Sequence, residues 1–86
     1  MAQIEIYTSP LCGYCHAAKR MLTDKGASYA EIDVAADAAK RQDMMARANG
    51  RHTVPQIFIN GAHIGGYDDM AALERAGKLD SMLAAD

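Results

Sequence analysis

Two cysteines three positions apart are the residues of this chain best suited to covalent chemistry. They are Cys12 and Cys15, which enclose Gly13 and Tyr14, and no other cysteine occurs in the 86 residues. A disulfide between them would close too short a loop to stabilise a fold appreciably, so a structural disulfide is the weaker interpretation. Structural zinc needs four ligands, and the histidines are not spaced from the cysteines as zinc ligands are. The pair therefore predicts reversible thiol–disulfide exchange.

The place of the pair in the chain predicts which sulfur reacts first. Residues 3–7 alternate apolar and polar side chains as a strand does, whereas apolar residues recur at helical spacing from Gly13 onward. The N–H groups and the dipole at the start of that helix favour a thiolate at Cys12. Cys15 lies one turn further along, so we expect it to be less exposed and to act as the resolving thiol.

The remaining patterns predict one α/β domain over residues 1–86, with no internal repeat. Further strands are predicted over 28–34, 54–60 and 62–64, and further helices over 35–49, 69–76 and 78–84. Asn60-Gly61 is typical of a type I′ hairpin turn, and Asp68 is predicted as the N-cap of the third helix. A helix joins the first two strands, which should be parallel. We expect a mixed four-stranded sheet with helices on both faces.

Composition excludes several function classes. The formal net charge is −2 and no basic stripe is present, so nucleic-acid binding has no electrostatic support. Neither a membrane-spanning apolar run nor a targeting segment is recognisable in the sequence, so we expect a cytoplasmic protein without membrane contact.

Three motifs, in order along nearly the whole chain, resemble the glutaredoxin family, and most of all its short, bacterial-type dithiol members. The motifs are Ile6-Tyr7-Thr8 followed by Cys12-Gly13-Tyr14-Cys15, then Thr53-Val54-Pro55-Gln56-Ile57-Phe58-Ile59, then Ile64-Gly65-Gly66-Tyr67-Asp68-Asp69. The resemblance implies a thioredoxin-like fold, a three-layer α/β/α arrangement. It also implies a glutathione-dependent oxidoreductase that serves electron transport and redox homeostasis by reducing glutathionylated and disulfide-containing proteins.

The resemblance further implies a glutathione site. Cys12 and Cys15 would be catalytic, Pro55 would follow a cis peptide bond, and the Val54 backbone would pair with the peptide as an added strand. The start of the third helix would hold the γ-glutamyl end, because its N–H groups and Asp68 suit a carboxylate and an ammonium. Arg41, Arg51 and Gln56 are weaker candidates for the glycine carboxylate. The implied glutathione contacts are Tyr14, Thr53, Val54, Pro55, Gly66, Tyr67 and Asp68.

Two departures from the family pattern leave a second function open. Many dithiol members have proline where this chain has Gly13, and many have a lysine in the stretch that here reads Thr8-Ser9-Pro10-Leu11. A small residue at position 13 is associated in the family with a [2Fe–2S] cluster shared by two chains, each supplying Cys12 and a glutathione thiolate. The alternative is therefore a dimeric cluster carrier or redox sensor, whereas the enzyme would be a monomer without metal. A thioredoxin-like reductase fed by a flavoenzyme is disfavoured because tryptophan is absent.

Overall fold

Four strands and four helices follow one another in the predicted order in the computed structural model, which describes residues 1–86. The strands are β1 (Ile4–Thr8), β2 (Ala30–Asp33), β3 (Gln56–Ile59) and β4 (Ala62–Gly65). The helices are α1 (Gly13–Asp24), α2 (Ala38–Arg47), α3 (Tyr67–Arg75) and α4 (Leu79–Ala84). None of these helices has the length and apolar character that crossing a membrane requires.

Helix α2 is shorter than predicted at both ends, for local reasons. The Asp33 carboxylate accepts a hydrogen bond from the Ala35 N–H at 2.8 Å, which holds the chain in a turn after β2. Asp37 then caps α2 by accepting from the Lys40 N–H at 3.1 Å. At the other end, Asn49 has a positive φ of 57°, a conformation that ends a right-handed helix. Side-chain hydrogen bonds thus set boundaries that hydrophobic spacing does not mark.

The sheet is mixed and has the order β2-β1-β3-β4. Strands β1 and β2 are parallel, and β3 is antiparallel to both β1 and β4. Asn60 and Gly61 both have positive φ, 51° and 81°, as the predicted type I′ turn requires. The predicted four-stranded mixed sheet is confirmed.

Helices cover both faces of the sheet, which confirms the three-layer α/β/α arrangement. Alternate residues of β1 and β3 point to opposite faces. The larger cluster, on the face covered by α1, α3 and α4, consists of Ile4, Ile6, Ala18, Leu22, Ala27, Ile57, Ile59, Met70, Leu79 and Leu83. The smaller cluster, on the face covered by α2, consists of Tyr7, Val34, Met44, Ala48 and Phe58.

Candidate active site

The strand register brings three separate segments to one end of the sheet. Because β3 runs antiparallel to β1, its first residue Gln56 lies opposite Tyr7 near the end of β1. Gly65, the last residue of β4, lies opposite Ile57. The loop that leads to α1, the loop before β3 and the turn into α3 therefore meet there. These segments carry the three motifs that the sequence singled out.

Cys12 is the N-cap of α1, and its sulfur occupies the place of a capping side chain. Its backbone is extended, with φ −116° and ψ 108°, and Sγ accepts a hydrogen bond from the Cys15 N–H at 3.1 Å. An N–H group aimed at the sulfur, together with the helix dipole, stabilises negative charge there. On its other side, Cys12 Sγ lies 3.6 Å from the Val54 carbonyl oxygen, to which a thiol donates.

Cys15 is a thiol of different character, buried in the first turn of α1. Its residue is 0% exposed, whereas Cys12 is partly exposed. Burial above all, and then the neighbouring Cys12 sulfur, raise the pKa of Cys15 to about 12. The predicted difference in exposure is present, and Cys15 carries its proton at neutral pH.

A groove of about 250 Å³ is lined in part by Val54, whose carbonyl oxygen lies 3.6 Å from the Cys12 sulfur. All seven residues that the resemblance implied as glutathione contacts line this groove, although they come from three distant parts of the chain. The full lining is Tyr14, Arg51, Thr53, Val54, Pro55, Gly66, Tyr67, Asp68 and Asp69. The Val54–Pro55 peptide bond is cis, as the resemblance implied.

Two tyrosines form one side of the groove. Tyr14 follows Gly13 in α1 and Tyr67 opens α3, and their rings stack with centroids 6.1 Å apart and planes inclined by 29°. Tyr14 is 66% exposed, one of three large apolar side chains that the fold leaves at the surface. The Tyr14 ring is therefore available to a ligand bound next to Cys12, rather than being used for helix packing.

The start of α3 differs from the prediction. The N-cap is Gly66, not Asp68, and the Asp69 carboxylate closes the turn by accepting from the Gly66 N–H at 2.9 Å. Arg51 Nη1 donates to the same Asp69 oxygen at 3.1 Å. The Gly66 N–H and then Arg51 hold the pKa of Asp69 below its usual range. Asp68 is exposed and lines the groove, where its carboxylate is accessible to a ligand.

Gly65 is needed by the fold itself. It has a φ of 118°, and a Cβ there would lie 2.2 Å from the Asp69 carboxylate oxygen. Its lack of a side chain therefore makes room for the Asp69 carboxylate that caps α3. Asp69 is the residue that sequence reasoning missed. Its signal was an acidic residue three positions after the N-cap, as in a capping box.

Of the three weaker candidates for the glycine carboxylate, only Arg51 lines the groove. Arg41 donates to the His52 carbonyl oxygen at 2.8 Å and is not part of the lining. The Gln56 side chain is buried and bonded to Thr53 and His63, so it does not face the groove. No group of three or more His, Cys, Asp or Glu side chains in this chain could hold a metal ion.

Comparison with known proteins decides the family. The glutaredoxin family model matches residues 4–64, which include the cysteine pair and the segment before β3. This chain belongs to the glutaredoxin family. It is 53% identical over 83 residues to Glutaredoxin 3 of Escherichia coli, covering 96% of this chain and 99% of that protein. It is 47% identical over 85 residues to a glutaredoxin of Pseudomonas aeruginosa, covering 99% and 100%.

Solved structures agree with this assignment. A buckwheat glutaredoxin in complex with glutathione superposes with a TM-score of 0.88 at 32% identity, covering 96% of this chain and 77% of that one. The solution structure of a glutaredoxin from Brucella melitensis gives a TM-score of 0.84 at 52% identity, covering 96% and 89%. The fold is thus the thioredoxin-like fold. As a glutaredoxin with both cysteines, the protein is a glutathione-dependent thiol–disulfide oxidoreductase.

Proposed function

We propose that this glutaredoxin reduces glutathione mixed disulfides of proteins, and protein disulfides, with Cys12 as nucleophile and Cys15 as resolving thiol. The observation that carries the proposal is the groove, which is lined by all seven expected glutathione contacts, including Val54, whose carbonyl oxygen lies 3.6 Å from the Cys12 sulfur. The glutathione complex of the buckwheat relative supports the choice of ligand.

The reaction on a mixed disulfide needs only the exposed cysteine. The Cys12 thiolate attacks the glutathione sulfur, the disulfide bond breaks, and the protein thiolate leaves and takes up a proton. The thiolate of a second glutathione then attacks the mixed disulfide on Cys12, which releases oxidised glutathione and restores the Cys12 thiolate. Each step exchanges one sulfur–sulfur bond for another, so glutathione supplies both electrons.

Reduction of a protein disulfide engages the buried cysteine. Cys12 attacks the disulfide and becomes linked to the protein, and Cys15 then loses its proton and attacks the Cys12 sulfur. The protein leaves as a dithiol and the enzyme holds a Cys12–Cys15 disulfide, which two glutathione molecules reduce. Burial raises the pKa of the Cys15 thiol, so this second route needs a deprotonation that the mixed-disulfide route does not.

The groove offers complementary groups to each end of glutathione. The first N–H groups of α3 and the exposed Asp68 would hold the γ-glutamyl carboxylate and ammonium. The Val54 backbone would pair with the peptide, and Tyr14 and Tyr67 would flank it. Arg51 stands at the same groove and would add positive charge for the glycine carboxylate. We place the enzyme in the cytoplasm as a monomer, with glutathionylated and disulfide-containing proteins as substrates.

The test is a steady-state assay on cysteine–glutathione disulfide, coupled to glutathione reductase and NADPH, with and without free glutathione. We expect turnover only when glutathione is present. Turnover that is independent of glutathione, or no turnover at all, would contradict the proposal. A thioredoxin-reductase-coupled assay run in parallel separates it from the thioredoxin-like alternative.

A second candidate function is [2Fe–2S] cluster binding, and Gly13 is the observation that favours it. A Cβ at Gly13 would meet no atom within 4 Å, so the residue is not glycine for packing reasons. One chain supplies only one accessible thiolate, Cys12, because Cys15 is buried. The four thiolates that a cluster requires would therefore come from two chains and two glutathione molecules.

Anaerobic reconstitution with iron, sulfide and glutathione tests this candidate. A cluster-bridged dimer would show a visible absorption band and twice the monomer mass, and Gly13→Pro would lose both. Proline suits the first position of a helix, so that variant keeps the fold. A colourless monomer after reconstitution of the unaltered chain would reject the cluster hypothesis.

A further inference from the structure

The side chain of Gln56 is buried at the point where the sheet meets the groove loop. It is 0% exposed, an unusual place for an amide. Its amide nitrogen donates to the Thr53 carbonyl oxygen at 3.0 Å and to Thr53 Oγ1 at 3.4 Å. Both bonds end on a single residue of the loop between α2 and β3. Gln56 thus holds that loop through two hydrogen bonds made on the sheet face that α2 covers.

His63 determines the orientation of this amide. The His63 ring nitrogen Nε2 lies 2.7 Å from Gln56 Oε1. Because the Gln56 amide nitrogen is used by Thr53, its oxygen must accept, and Nε2 of His63 must carry the proton. The His63 ring is itself held against Phe58, with centroids 5.0 Å apart and planes inclined by 31°. The chain of contacts therefore runs from Phe58 through His63 and Gln56 to Thr53.

The groups around His63 are consistent with this arrangement. Burial lowers the pKa of His63, and the positive charge of Arg51 lowers it further, against the opposing charge of Asp69. Glu5 and Tyr7 lie on the same sheet face, but both accept hydrogen bonds from Arg47. In both its neutral and its protonated form, His63 donates to Gln56 from Nε2. The link to Thr53 is therefore independent of the charge on the ring.

Thr53 directly precedes Val54, whose backbone lies next to the Cys12 sulfur. The next residue, Val54, lines the groove and has its carbonyl oxygen 3.6 Å from Cys12 Sγ. A shift of Thr53 would move the Val54 backbone relative to a ligand in the groove, whereas the Cys15 N–H that bonds the Cys12 sulfur belongs to α1 and would stay in place. Small displacements of positioning groups cost reaction rate steeply.

We propose that Gln56, oriented by His63, is a positioning residue that sets the Val54 backbone for the glutathione half of the substrate. The inference rests on the proposed function and adds to it a residue that does not touch the ligand. It acts through Thr53 alone, so it concerns the glutathione half and not the intrinsic reactivity of Cys12.

Gln56→Met tests the proposal, because methionine keeps the length of the side chain and removes both polar groups. The reduced enzyme is mixed with cysteine–glutathione disulfide or with cystamine, a disulfide without γ-glutamyl and glycine arms. No free glutathione is present, and the oxidised enzyme is counted by mass spectrometry after acid quenching. We expect the rate constant with cysteine–glutathione disulfide to fall about fivefold to tenfold, the worth of one to two buried hydrogen bonds. The rate constant with cystamine should stay within about twofold.

Two further variants complete the design. His63→Phe keeps a ring against Phe58 but removes the donor to Gln56, so we expect a smaller loss, again confined to the glutathione disulfide. Tyr7→Phe is the matched control. It removes a hydroxyl bonded to Arg47 at 3.0 Å on the same sheet face without touching Thr53. Both rate constants should be unchanged in Tyr7→Phe.

The outcomes separate this inference from the proposed function. If the unaltered enzyme fails to prefer cysteine–glutathione disulfide over cystamine, the proposed function itself fails. If the unaltered enzyme prefers cysteine–glutathione disulfide and Gln56→Met has the same rate constants, Gln56 does not position the loop. Equal losses on both disulfides, or the same loss in Tyr7→Phe, would also overturn the proposal. Should Gln56→Met not fold, the His63→Phe rate constants decide.

Discussion

The two cysteines differ in depth, although only three positions separate them. Cys12 lies outside the regular turns of α1 and receives the Cys15 N–H, whereas the Cys15 side chain points into the fold. The same helix start thus stabilises charge on one sulfur and hides the other. The division of labour in the proposed reaction follows from this difference in solvation.

We predict that Cys12→Ser abolishes glutathione-dependent turnover of a mixed disulfide and that Cys15→Ser retains it. The hydroxyl of serine is not a nucleophile for disulfides at neutral pH, whereas the mixed-disulfide route does not use Cys15. The coupled NADPH assay measures both variants. Equal loss in the two would mean instead that the dithiol route is obligatory.

The raised pKa of Cys15 also predicts that stability depends on pH. Its pKa is raised to about 12 in the fold, whereas an unfolded cysteine titrates near 8.5. The unfolded chain therefore loses this proton first, and the free energy of unfolding of the reduced protein should fall as pH rises above about 8.5. Urea denaturation under reducing conditions between pH 7 and pH 10 measures the slope. Cys15→Ser should flatten it, and an unchanged slope in that variant would contradict the assignment.

At the scale of an element, the two adjacent aspartates at the start of α3, Asp68 and Asp69, have different roles. Asp69 turns back to the Gly66 N–H and to Arg51, so its carboxylate belongs to the helix cap. The Asp68 side chain makes no hydrogen bond within the chain and is exposed on the groove. Stability and ligand binding should therefore respond to different residues.

We predict that Asp69→Asn lowers the free energy of unfolding by about 0.5–1 kcal/mol, a cap's usual worth discounted for partial exposure. Because the Asp69 pKa is lowered in the fold, its contribution is present at neutral pH and disappears as pH falls through the acid range. Asp68→Asn, the matched control, should keep the stability and raise KM for the mixed disulfide. Urea denaturation and the coupled assay check the pair, and a reversed pattern would show that the two roles are exchanged.

At the scale of the whole molecule, Arg47 joins α2 to the sheet at a distance from the groove. Its guanidinium donates to both carboxylate oxygens of Glu5, at 2.9 and 3.0 Å, and to the Tyr7 hydroxyl. It also lies 4.1 Å from the centroid of the Phe58 ring. A fork of donors stacked on an aromatic ring is an arrangement that lysine does not reproduce.

We predict that Arg47→Met lowers the free energy of unfolding by about 1 kcal/mol, since the ion pair is partly exposed and the stacking is partly kept by the methionine chain. The kcat with a mixed disulfide should change little. Arg20→Met is the control, because Arg20 is exposed and makes no ion pair. Denaturation of both variants measures the difference, and equal stabilities would mean that Arg47 contributes nothing measurable.

The sequence alone determined the element order, the mixed sheet, the turn at Asn60-Gly61 and the helix start at the cysteine pair. These features follow from local signals: the period of apolar residues, the φ preferences of glycine and asparagine, and the spacing of two thiols. The motif resemblance predicted the family, which the comparisons confirm, and seven of the nine residues that line the groove. The ends of α2 escaped prediction because single side-chain hydrogen bonds decide them.

Only the tertiary structure decided which polar side chains serve the fold and which face the groove. Asp69 caps α3 through the nearby Gly66 N–H, but only the fold brings Arg51, far away in the chain, to the same carboxylate, and Gly65 leaves the space for that contact. Gln56 is withdrawn from the groove because its position in β3 turns it toward His63. The raised pKa of Cys15 depends in the same way on how deeply α1 packs. Each of these outcomes depends on how the helices, strands and loops pack against one another, which the spacing of residues along the chain does not record.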